Sequence, residues 1–347
     1  MILPRSARPV LAAVATAAIG LTLLIAQPAP TPGAKMANVA NTFLTSLTPE
    51  LKQKAAYPFD SPERLNWHFV PLQDQDRRPT RKGVSLEEMN DAQKMAALDL
   101  LRAGLSAKGY EQATTIMSLE SILADLEKNG AMVRNPNWYF VTIFGEPSNT
   151  GRWGWRVEGH HLSVNITLDR GVVQSPTPLV FAANPAEIKD GPKKGLRTLP
   201  ETEDPVKELI ASLNPEQQKL ARQPKQFPEI AATPKPTVGP PLGLPAEKMT
   251  AAQQKILLKL MEGYTSRLPA EVAAQEMKRA TEAGLEKVHF AYCIEEDKPG
   301  KPYTYRVQGP TFVIEFLNVQ ADSARNPANH IHSAWRRLPA DFGLEEK

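Results

Sequence analysis

Residues 151–168, GRWGWRVEGHHLSVNITL, alternate polar and apolar side chains after a turn and read as one β-strand. Side chains along a regular strand point alternately to opposite faces. Leu162, Val164, Ile166 and Leu168 then share one face, and His161, Ser163, Asn165 and Thr167 share the other. The adjacent imidazoles of His160 and His161 must diverge: His161 joins the polar face with Asn165, and His160 falls on the apolar side. One face of an antiparallel sheet commonly meets water. The alternative is a cleft lined by the polar set.

The same pattern returns downstream. YTYRVQGPTFVIEFLN, residues 303–318, repeats WGWRVEGHHLSVNITL with Arg306, Val307 and Gly309 against Arg156, Val157 and Gly159. SLTPELKQK from Ser46 returns as SLNPEQQKL from Ser212, and EEMNDAQKMAALDLL from Glu87 returns as EKMTAAQQKILLKLM from Glu247. Three blocks in one order indicate an internal duplication. Each copy predicts a short helix with Pro49 or Pro215 in its first turn. An amphipathic helix follows, with capping-box pairs Asn90–Gln93 and Thr250–Gln253, then a second helix and antiparallel strands. The expected class is α+β, as two related halves that each combine helices with an antiparallel hairpin or sheet. The halves are expected at 36–200 and 246–347, joined through a helix and a proline-rich linker at 201–245 that is poorly suited to a packed core.

Four of the chain's six histidines fall in two short clusters. His330 and His332, in NPANHIHSAWRRLPADFG, are two apart, so in an extended segment both imidazoles point the same way. That spacing suits two ligands of one metal. His160 and His161 supply further imidazoles. Glu315, in the apolar run TFVIEFLNV, occupies the place of Asn165 in the repeat, and a carboxylate there is expensive if buried alone. The expected site is a mononuclear centre of these histidines, with Glu315 as ligand or general base and Arg336 orienting an anionic group. Asn165, Arg156 and Trp335 are expected around it. Imidazole suits zinc, copper or iron. Glu120, amid apolar neighbours in a predicted helix, suits a surface or ion-paired role better than that of a ligand.

The chain has 347 residues and a net charge of +3, so no large basic footprint for nucleic acid is evident. Residues 1–35 combine Arg5 and Arg8 with an uncharged run from Val10 to Ala26 and then Pro28, the pattern of a signal peptide or an uncleaved N-terminal anchor. An exported protein is expected, touching membrane only through that segment if it is retained. No phosphate-binding glycine loop, dinucleotide fingerprint or paired C-x-x-C is present.

The motif strand Gly159, His160, His161, Leu162, Ser163 and Asn165, with Asn329, His330, His332, Trp335 and Arg336 near the end, resembles the bacterial secreted family catalogued as domain of unknown function 3500. The resemblance covers about residues 40–343. Relatives often carry an acid after the W-R pair where this chain has Arg337, although Asp341 is close by. The family supplies no activity. Three functions fit the residues. One is a metal-binding protein, with enzymatic chemistry at the ion. The second is a non-catalytic envelope protein whose histidines and aromatics line a pocket for a small molecule. The third is a structural envelope protein whose histidines are buried as hydrogen-bonders at the interface of the halves.

Overall fold

The computed structural model describes residues 30–128 and 130–344. The expected targeting segment lies largely outside them. The first described helix, α1 (Pro32–Ser46), starts before the end of the 1–35 stretch expected as a targeting segment, with Thr31 capping it. Next come α2 (Pro49–Ala55), β1 (Ala56–Tyr57), β2 (Val84–Ser85), α3 (Asp91–Gly104) and α4 (Ala107–Leu126). Strands β3 (Phe140–Phe144), β4 (Arg152–Gly159), β5 (Leu162–Asp169), β6 (Val172–Ser175) and β7 (Leu179–Phe181) follow.

The chain then runs through α5 (Pro200–Ser212), α6 (Pro215–Ala221), β8 (Leu244–Pro245), α7 (Ala251–Thr265) and α8 (Ala270–Glu282). It ends in β9 (His289–Ile294), β10 (Tyr303–Gln308), β11 (Phe312–Gln320) and β12 (His330–Arg337). Local chemistry sets the helix starts as predicted. Pro49 and Pro215 open α2 and α6. Asn90–Gln93 and Thr250–Gln253 form reciprocal capping boxes at α3 and α7.

All twelve described strands belong to one sheet, mostly antiparallel, ordered β1-β3-β4-β5-β7-β12-β11-β10-β9-β8, with β2 on β3 and β6 on β5. The expected hairpins of the two halves are therefore parts of a continuous sheet, joined where β7 pairs with β12. That join is narrow: Ala334 faces Val180 and Trp335 faces Leu179.

The opening stretch is corrected. It is two strands, β4 and β5, paired from Arg152↔Asp169 to Gly159↔Leu162 and joined by the two-residue turn His160–His161. The core-facing positions are odd in β4 (Trp153, Trp155, Val157) and even in β5 (Leu162, Val164, Ile166), so the alternation changes phase at the two histidines, as a two-residue hairpin turn requires. His161 takes φ +66°, a left-handed backbone unusual for a residue with a Cβ.

The helices cover one sheet face. There Trp155, Val157, Leu162, Val164, Phe181, Ile314, Phe316 and Trp335 join the main core with helix residues such as Phe43, Leu100, Ile116 and Leu257. The other face neither meets water nor lines an open cleft. Two coils, residues 58–82 and 222–243, lie over it, and a smaller core of Trp67, Phe69, Val180, Ile230, Leu317, Ala334 and Phe342 forms beneath them.

The expected linker is thus part of a packed layer, for a reason its composition hides. A proline-rich coil has more carbonyl acceptors than N–H donors, and the polar sheet face supplies the missing donors. Arg336 donates to Ala231 O (2.9 Å) and to Thr233 O, Arg306 to Val238 O (3.0 Å) and Gln308 to Gly239 O (2.9 Å). On the other coil Arg156 donates to Glu63 O (2.9 Å).

Candidate metal centre

The histidines gather at one end of the sheet, beside the β7–β12 join. The turn that carries His161 is fixed by its backbone: His161 N–H donates to Phe69 O (2.7 Å), and His161 O accepts from Ala182 N–H (2.9 Å). His330 opens β12 beside a register shift against β11, and its N–H donates to Asn318 Oδ1 (3.1 Å). Two residues on, His332 shares its side of the strand, as the spacing predicted, and packs edge-on against Phe69 with ring centroids 5.2 Å apart.

His161, His330 and His332 present one ring nitrogen each within 4.8 Å of one another. Nε2 of His330 lies 2.9 Å from Nε2 of His161 and 3.1 Å from Nε2 of His332. His332 Nδ1 sits 2.8 Å from Glu229 Oε2. The carboxylate accepts a hydrogen bond from Nδ1–H and so keeps the ring proton on that nitrogen, which leaves the Nε2 lone pair of His332 free.

Nε2 of a neutral imidazole offers a single in-plane position, either a proton or a lone pair. One proton on His330 can therefore serve one neighbour and not both. A cation among the three nitrogens serves all of them. Metal–nitrogen bonds of about 2.0–2.1 Å in tetrahedral geometry set ligand nitrogens about 3.3 Å apart, close to the spacings seen here.

Burial keeps the His161 and His330 rings neutral. His161 and His332 are 3% and 6% exposed. Burial, reinforced by the neighbouring histidines, drives His161 well below the usual histidine range. Burial, with His332 beside it, drives His330 down to about 2. Burial opposes ionisation of Glu229, but the hydrogen bonds it accepts from His332 Nδ1–H and Ile230 N–H outweigh it and hold the carboxyl below its usual value.

His160 stands behind this group. Its ring lies on that of His161, centroids 3.6 Å apart and planes 35° apart, so the two imidazoles do not diverge as a regular strand required. Its Nδ1 bonds Glu120 on α4, and Arg134 Nη1 approaches the same nitrogen at 3.3 Å. Glu120 is buried in that pair. Burial lowers the His160 pKa, against the pull of Glu120.

The remaining expected site residues are placed elsewhere. Glu315 stands 3.7 Å from both Arg306 and Arg336, on the polar face but paired with arginines rather than imidazoles. Burial pushes its carboxyl up despite them. Arg336 is taken up by Asp341 (Nε to Oδ2, 2.8 Å) and the coil carbonyls. Trp335 lies on the helix face, stacked on Phe312 and bonded to Glu276 (3.0 Å). Arg156 is held by Glu63 at 2.5 Å, and Asn165 Nδ2 donates to Ser163 Oγ and Pro178 O, each 3.0 Å away.

Glu229 and Phe69 support the centre and carried no motif, while Asn318, which accepts from His330 N–H, closes the repeated block 303–318. A weak signal existed for Glu229: it is the one acid between Glu216 and Glu247.

No curated protein and no solved structure matches the chain. A family model, described as Protein of unknown function (DUF3500), matches residues 29–344 and so spans both histidine motifs and the sheet between them. The chain belongs to the DUF3500 family.

Proposed function

We propose that this is an exported metal-binding protein that holds one ion on the Nε2 atoms of His161, His330 and His332. The observation behind this reading is the convergence of three ring nitrogens, one of them left with a free lone pair because Glu229 accepts from Nδ1–H of the same ring. Three histidines and no thiolate suit zinc, copper or iron. Three protein ligands leave a fourth position for water or substrate, the hallmark of catalytic rather than structural zinc sites. We therefore read the protein as a metal-dependent enzyme in which a bound ion supplies Lewis-acid or redox chemistry. In this reading the Glu229–His332 pair orients one ligand, and the Glu120–His160 pair supports the ring of another. The repeated order of helices and strands, with the aligned sequence blocks, supports an origin by duplication of one α+β unit.

The test is elemental analysis of untagged protein purified from the exported compartment, beside a His330→Ala, His332→Ala double variant. Near-stoichiometric zinc, copper or iron in the wild type alone is expected. A wild type without metal after reconstitution with each ion would sink the proposal.

A further inference from the structure

A second site lies on the opposite side of the sheet. A cavity of about 580 Å³ opens between α5, the β9–β10 connection and the loop before β12. Ligand pockets usually measure about 300–1,000 Å³. Its apolar lining comes from Ile210 and Ala211 on α5, Ile294 at the end of β9 and Tyr303 at the start of β10. Tyr303 is locked in place: its ring stacks on Phe316 (5.3 Å) and its hydroxyl donates to Glu203 (2.9 Å). Asn318 contributes to the wall, and its Oδ1 is the acceptor of the His330 N–H.

The charged lining is not balanced. Four cations, Lys189, Arg197, Lys207 and Lys301, face three acids, Glu187, Glu203 and Glu296. Arg197 is committed to Asp204 (2.7 Å) and Glu203 (3.0 Å). Glu203, the buried acid, therefore already has Arg197 and Tyr303. Lys207 reaches it only at 3.6 Å, with its own side chain 59% exposed. Lys189 and Lys301 pair with Glu187, which is half-buried, and Glu296, which is exposed, and both lysines are themselves exposed. Such surface pairs are worth about 0–1 kcal/mol, little enough for a ligand to displace them.

An apolar floor with loosely held ammonium groups at its rim, Lys207 among them with no acid of its own, selects a ligand with an apolar body and one negative end. We propose that this cavity binds a small amphipathic carboxylate, its apolar body against Ile210, Ile294 and Tyr303 and its carboxylate met by Lys207. The inference stands apart from the metal centre, since none of the three imidazoles lines the cavity.

Octanoate is the probe and 1-octanol the uncharged control, each titrated calorimetrically into the full-length protein. One-to-one binding of octanoate, and none of octanol at the same concentration, is expected. Lys207→Glu, at an exposed position, should weaken octanoate binding about tenfold or more, the equivalent of losing one favourable charge contact and gaining a repulsive one. Ile210→Asp should abolish it, with folding checked by circular dichroism. No heat with octanoate, equal binding of octanol, or unchanged affinity in Lys207→Glu would each overturn the proposal.

Discussion

Glu229 is the residue on which the state of the centre turns. By holding Nδ1–H of His332 at 2.8 Å it decides which nitrogen stays free. Glu229→Gln removes the charge and keeps the shape, and the affinity for zinc should fall about 10–100-fold. A competition titration against a chromophoric chelator measures this, and an unchanged affinity would detach Glu229 from the site. Burial also makes the metal-free centre acid-sensitive. His330 titrates near 2 in the fold but near about 6.5 in the unfolded chain. Between those values the unfolded chain binds the extra proton, so stability falls as pH drops below about 6.5. At about pH 5 the loss from His330 alone is about 2 kcal/mol. Urea melts of apo protein at about pH 7.5 and 5 should show this loss, reduced by that amount in His330→Gln. Parallel losses in the two proteins would count against a buried neutral imidazole.

Two elements bring the centre together. The first is the His160–His161 turn, where His161 adopts φ +66°. Asparagine tolerates this backbone and a β-branched residue does not. His161→Asn and His161→Val should both bind metal poorly, but the valine variant should be less stable by a further ~1–2 kcal/mol. Equal denaturation midpoints would mean that the turn relaxes at no cost. The second element is the 222–243 coil, which delivers Glu229 and is held to the sheet by Arg336. Asp341 is wholly buried against that guanidinium. Arg336→Leu leaves the acid without its partner and should cost about 3–5 kcal/mol. It should also speed proteolysis within the coil. A variant of near wild-type stability in urea would show that the coil is anchored elsewhere.

Across the whole molecule the centre lies beside a narrow join in the middle of the sheet. Between β7 and β12 the paired residues are few, with one further bridge at Ala183↔Ile331. His161 belongs to the run of strands on one side of this join, and His330 and His332 belong to the strand on the other. An ion bound by all three would clamp the join. A ligand that binds only the folded state stabilises it by about 4 kcal/mol at a thousandfold excess over Kd. Loading with metal should therefore raise the melting temperature of the wild type. The His330→Ala, His332→Ala protein should show no metal-dependent shift. A shift of equal size in both would place the ion elsewhere.

The sequence by itself determined the helix starts, the α+β class, and the two short histidine motifs. These depend on near neighbours in the chain: a proline in a first turn, a capping pair three residues apart, imidazoles two apart on a strand. The GHHL stretch was misread as one strand: the alternation changes phase between Val157 and Leu162, but no glycine or asparagine marks the left-handed position at His161. Only the tertiary structure decided that the polar face would lie beneath coils, since that depends on arginines of the sheet meeting carbonyls far away in the chain. The same holds for the centre itself. His161 and His330 are 169 positions apart, yet their nitrogens are 2.9 Å apart, because β5, β7 and β12 pair in one sheet. No local pattern encodes that pairing order, and neither Glu229 nor the direction of the His160 ring could be read before it was known.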